Sequence, residues 1–97
     1  MKYKIEYLPI ADKDISAISD ALTNYSDKAK RFFAEFEKKI KMLEDMLYMW
    51  PVYKYKLEYR RMILEDHLLF YIIDENERKI KIYRVLYDKM DIRKQII

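Results

Sequence analysis

The sequence predicts a small α+β domain. The expected order is one N-terminal strand, a hairpin of two antiparallel helices, a three-strand antiparallel meander completing one twisted sheet, and a short C-terminal helix. Three observations predict it. The chain opens on an alternating segment, apolar residues then recur every three or four positions up to Leu47, and after Pro51 the period drops to two. The 97 residues suit one domain spanning 1–97. Surface scaling leaves roughly 6,000 Å² exposed from about 17,500 Å² unfolded, which supports one modest core.

Residues 2–8 set Tyr3, Ile5 and Tyr7 on one face and Lys2, Lys4 and Glu6 on the other, the pattern of a half-buried strand. Pro9 ends it and suits the first turn of a helix, along which Ala11, Ile15, Ile18 and Leu22 form a single apolar stripe. Residues 23–26 break the pattern, with Asn24 or Ser26 as the expected N-cap. The second helix carries Ala29, Phe33, Phe36, Ile40, Leu43 and Leu47 on its stripe and is expected to stop at Pro51. The short link between the helices makes them antiparallel neighbours.

Beyond Pro51, Tyr53, Tyr55, Leu57 and Tyr59 alternate with Lys54, Lys56, Glu58 and Arg60. A hairpin follows, turning at Glu65-Asp66 into the run from His67 to Ile73. Residues 68–73 are apolar on both parities, which predicts a central strand covered on both faces. The last strand, 79–86, is expected to face Ile80, Ile82 and Leu86 inward, and Asp88 to cap a terminal helix reaching Ile97.

Composition narrows the chemistry. There is no Gly, so the glycine-rich phosphate cradles are excluded, and no Cys, so disulfides and thiolate chemistry are excluded as well. With His67 as the sole imidazole, neither a metal site nor a cofactor is expected. No apolar run approaches membrane-spanning length, and a cytoplasmic location is expected. Residues 1–50 hold nine basic and nine acidic side chains; residues 78–97 hold seven and two. A neutral front and a basic back point to a polyanion or an acidic partner on one face.

Several residues depart from packing logic. Arg84 shares the parity of Ile80 and Ile82, so its guanidinium either pairs with Asp88 or Asp91 or is presented to phosphate from a concave sheet. Tyr87, at the end of the same strand, is either a packing residue with a wet hydroxyl or a proton acceptor. Lys54, Lys56, Arg60 and Arg61 interleave with Tyr53, Tyr55 and Tyr59, which fits single-stranded RNA or an edge strand kept soluble by charge. Arg93 extends this basic set. His67, entering an apolar strand, is read as structural.

These segments carry a family resemblance. Residues 3–15, Tyr59-Arg60 and His67-Leu68-Leu69-Phe70-Tyr71 look like elements of RelE/ParE toxins. Ile82-Tyr83-Arg84-Val85-Leu86-Tyr87-Asp88-Lys89-Met90-Asp91 resembles their terminal signature of arginine, valine, leucine, histidine, two residues, arginine and aspartate. Tyr87 stands where that signature has histidine, and Met90 where it has arginine. The resemblance implies the toxin of a bacterial type II toxin–antitoxin pair, neutralised by a cognate antitoxin protein. RelE-like members cut ribosome-bound mRNA, and ParE-like members inhibit DNA gyrase without hydrolysing RNA. A metal-free ribonuclease needs a base, an acid and cations. For that chemistry the expected roles are Tyr87 as base, Arg84 and Arg60 as the phosphate clamp, and Lys54, Lys56, Arg61 and Arg93 as RNA contacts. Gyrase inhibition is the alternative, and a non-toxic interaction module with a degenerate site is a further one.

Overall fold

The computed structural model describes residues 3–96. Its elements are β1 (Lys4–Tyr7), α1 (Pro9–Ala21), α2 (Ser26–Asp45), β2 (Val52–Tyr53), β3 (Lys56–Leu64), β4 (His67–Asp74), β5 (Lys79–Tyr87) and α3 (Ile92–Ile96). One five-stranded sheet runs in the order β1-β5-β4-β3-β2. β1 pairs with β5 in parallel, and the other neighbours are antiparallel. The predicted α+β architecture is the observed one, with β4 at the centre.

The sheet has two apolar faces because β4 is apolar on both parities. Leu69 and Tyr71 join Met62, Ile80 and Ile82 beneath Ile18, Leu22, Phe32 and Leu43 of the two helices. Phe70 points the opposite way, with Tyr53, Tyr59, Leu86 and Ile96 of α3. Leu69, Phe70 and Tyr71 are all fully buried. The terminal helix therefore covers a second, smaller core. Among the described residues, no helix is long and apolar enough to cross a membrane.

The observed structure departs from the sequence pattern in five places. α2 ends at Asp45 rather than at Pro51, with Met46 as its C-cap. The carbonyls that would extend it are claimed by the sheet: Tyr71 Oη donates to Leu47 O at 2.9 Å, and Arg60 Nη1 donates to Trp50 O at 2.7 Å and Tyr48 O at 3.4 Å. Neither Asn24 nor Ser26 caps α2; Tyr25 holds the cap position and offers no side-chain bond. The strand expected from residue 53 onward is broken at Lys54-Tyr55, where a turn made without Gly or Pro separates β2 from β3. The turn lets Tyr53 lay its ring edge-on to Phe70, 5.1 Å between centroids. α3 begins at Ile92, so Asp88 is not its cap; Asp88 instead sits in a turn, its N–H donating to Asp66 O at 2.9 Å. Ile97 lies outside the described residues.

The fifth departure concerns Arg84. β4 and β5 pair Tyr71 with Ile82 and Phe70 with Arg84, leaving Tyr83 as the extra residue of a β-bulge. The bulge reverses parity: Val85, not Leu86, joins the helix-side core, and Leu86 packs on the opposite face. Arg84 therefore does not share a core-facing row with Ile80 and Ile82.

Candidate functional site

The bulge leads to the most structured polar centre among the described residues. β1 covers β5 only from Lys79 to Ile82, after which Leu8 N–H donates to Ile82 O and the chain turns into α1. The upper half of β5 has no strand beside it there, and α1 takes that place. Asp14, one turn into α1, accepts the Val85 N–H at 3.0 Å. Its two oxygens also accept Arg84 Nε at 2.8 Å and Nη2 at 3.0 Å. Arg84 Nη1 donates to Gln95 O at 3.2 Å, which ties in α3. Both side chains are largely enclosed, 12% exposed for Arg84 and 14% for Asp14. The Asp14 carboxylate raises the Arg84 pKa above its already high value, so the cation is permanent.

Next to this pair opens an apolar groove of about 550 Å³, walled by Ala17, Ala21 and Leu22 of α1 and by Val85, Leu86 and Tyr87 of β5. Its far end holds a second polar group. His67 Nδ1 lies 2.8 Å from Asp66 Oδ1, and Lys28 Nζ is 3.5 Å from Asp66 Oδ2. The His67 ring packs against Phe32 at 5.0 Å and Tyr87 at 5.6 Å. Burial works against the Asp66 charge, but the His67 ring, backbone hydrogen bonding and Lys28 hold its pKa below the ordinary value.

That shift has a testable sign. A carboxyl whose folded pKa is depressed contributes stability above its unfolded value, and the contribution disappears as pH falls through the folded one. Asp66→Asn should therefore flatten the acid limb of the stability–pH curve below about pH 4, leaving the shape near neutrality unchanged. Thermal melts from pH 2 to 7 check this; an unchanged acid limb would contradict it.

The sequence-predicted site residues divide into three places. Arg84 and Tyr87 line the groove together, and Tyr87 is 40% exposed. Arg60 is not with them: its β3 position pairs with Tyr71, two strands from β5, and its guanidinium serves the loop carbonyls of Tyr48 and Trp50. Lys54, Lys56 and Arg93 lie by the sheet face that α3 covers. Lys54 Nζ and the Arg93 guanidinium sit 4.9 and 4.5 Å from the Tyr55 ring centroid, and Lys56 Nζ sits 5.4 Å from that of Tyr59. Tyr59 stacks on Tyr83 at 4.9 Å, and its burial with the Tyr83 hydrogen bond pushes its hydroxyl up to about 12. Arg61 is half-buried on β3 opposite Phe70, its N–H donating to Pro51 O at 3.0 Å. The sequence reading missed Asp14, Asp66 and Lys28. Asp14 carried a signal, since it falls on the inward stripe of α1 between Ala11 and Ile18.

Comparison with known proteins decides the family. Residues 5–92 match the family model described as the ParE toxin of the type II toxin–antitoxin system parDE. The chain belongs to the ParE toxin family. A similar fold is seen in a chain of a solved structure described as the chromosomal ParDE toxin–antitoxin system from P. aeruginosa. It superposes with a TM-score of 0.70 and 16% identity, over 89% of this chain and 96% of that one. No curated protein matches the sequence. Membership places this ParE chain among the toxins of type II systems. The Asp14–Arg84 bridge, the groove beside it and the covered second sheet face are thus features of a toxin domain.

Proposed function

We propose that this toxin acts by binding a protein target, DNA gyrase, and not by cutting RNA, and that its partner is an acidic antitoxin. The observation that carries the proposal is the state of Arg84. A phosphate clamp needs guanidinium donors facing an opening, whereas three of the five Arg84 N–H donors, one each on Nε, Nη2 and Nη1, are engaged by Asp14 and Gln95, and the side chain is only 12% exposed. Arg60, the second member of the expected clamp, is committed to backbone carbonyls elsewhere. The expected base, Tyr87, shares its groove with Arg84 and Lys28, but Arg84 is held by Asp14 and Lys28 Nζ lies 3.5 Å from Asp66, so both cations face carboxylates already in place. The match to ParE toxins favours the same branch.

Ribosome-dependent cleavage is the second reading, favoured by one observation: Arg84, Tyr87 and the Asp66–His67 pair line a single groove. It requires Asp14 to release Arg84. The antitoxin is proposed to cover this groove, whose apolar walls suit a segment of a second chain. Seven cations against two anions over residues 78–97 favour an acidic one.

Brief induction of the chain alone tests the proposal. Growth should stop with transcripts intact and a DNA-damage response rising early, and Tyr87→Phe should remain fully toxic. New 5′ ends inside translated frames, abolished by Tyr87→Phe, would establish the nuclease instead.

A further inference from the structure

The exposed apolar side chains are not spread evenly. Of the eleven large ones exposed among the described residues, seven fall between Met46 and Ile63. That segment builds one edge of the sheet: the loop after α2, β2, and β3 beside it. Leu57 is 68% exposed, Ile63 50% and Val52 45%. Scattered exposed apolar residues need no explanation, but several concentrated on one edge mark an interaction surface. A trough of about 450 Å³ opens beside them between α2 and the loop, lined by Met42, Met49 and Trp50 with Lys38 and Lys39.

The same segment is basic. It carries four cations, Lys54, Lys56, Arg60 and Arg61, against one anion, Glu58, a net of three positive charges that equals the formal excess of the whole chain. We propose that this edge is the surface that takes the toxin's protein target, through an acidic face carrying aliphatic side chains. The inference rests on the protein-target reading above and places the contact away from the groove assigned to the antitoxin.

Three features select this occupant. A second copy of the chain would bring like charge against like charge, which complementary interfaces avoid. Single-stranded RNA needs free ring faces for stacking, but Lys54 and Arg93 already sit over Tyr55, Lys56 over Tyr59 and Arg60 over Tyr48. An added strand needs a run of open backbone, but β2 is two residues long and Lys39 Nζ caps Ile63 O at 2.5 Å. A folded acidic surface with small aliphatic knobs remains, one of them suited to the trough.

The test uses the full chain carrying Val52→Glu with Ile63→Glu, and separately Leu57→Glu. All three positions are exposed, so melting temperatures are expected to hold. Growth arrest on induction, affinity for purified gyrase and affinity for the cognate antitoxin are measured for each. Arrest should be lost and gyrase affinity should fall at least about ten-fold, the scale of a single interfacial hot spot. Antitoxin affinity should stay at the wild-type value. Undiminished arrest in both variants overturns the assignment. So does loss of antitoxin binding instead, loss of binding to a labelled single-stranded RNA, or loss of a wild-type dimer. A wild-type chain that arrests growth without binding gyrase overturns the proposed target, and the arrest phenotype alone then decides whether this edge is the contact.

Discussion

Asp14→Ala is expected to cost about 3–5 kcal/mol, because it leaves a largely enclosed guanidinium without its carboxylate. The loss has two parts. Arg84 keeps only the Gln95 carbonyl, and the Val85 N–H loses its acceptor on a strand edge with no neighbouring strand. In a domain this size each kcal/mol moves the melting temperature by about 4–8 °C, so a fall beyond about 12 °C is expected. Arg84→Ala should be comparably damaging, and the double variant much less so than the sum, since removing both charges leaves none unpaired. Differential scanning calorimetry of the three proteins checks this. A fall of only a few degrees with toxicity abolished would mean that Arg84 serves a ligand rather than the fold.

Phe70→Ala should also cost about 3–5 kcal/mol, the usual range for emptying a buried aromatic site. Its particular interest is the face it occupies. Phe70 is fully buried in the cluster beneath α3, on the sheet face away from the hairpin core. The expected result in urea is a midpoint lowered in proportion, with near-UV signals of Tyr53 and Tyr59 weakened before the rest. A cost below about 1 kcal/mol would show that α3 is only loosely seated and that the second core contributes little.

Much of this fold was legible because period and burial agree. The hairpin turn at Glu65-Asp66, the doubly buried β4 and the α1 stripe follow directly from residue spacing. Glu65 adopts a left-handed conformation at φ 53° and Arg78 at φ 54°, without glycine, yet the charged pair Glu65-Asp66 between apolar runs announced its turn. What was hidden had local physical causes. The Lys54-Tyr55 turn is invisible because two residues of an alternating run give no breaker signal. The α2 terminus was set by Tyr71 and Arg60, side chains 24 and 10–12 residues distant along the chain from the carbonyls they claim. The bulge at Tyr83 reversed the parity on which the Arg84 assignment depended.

The candidate site was half legible. Arg84 stood out as a cation on an inward row, and the partners expected for it were Asp88 or Asp91, close in sequence. The actual partner lies 70 residues away. Yet Asp14 and Arg84 are both charges misplaced on otherwise apolar patterns, and they have opposite sign. Two such departures in one short chain are better explained by each other than separately, because burying either alone is far more costly than burying the pair.

On the proposed reading, this ParE-family toxin binds a protein and does not cleave RNA. Purified chain added to gyrase, relaxed plasmid and ATP tests this most directly, with a translating extract assayed in parallel for mRNA cleavage. Inhibited supercoiling at stoichiometric toxin, reversal by the cognate antitoxin and intact mRNA are the expected results. Undisturbed supercoiling, with mRNA cut on ribosomes by the same preparation, would contradict that reading.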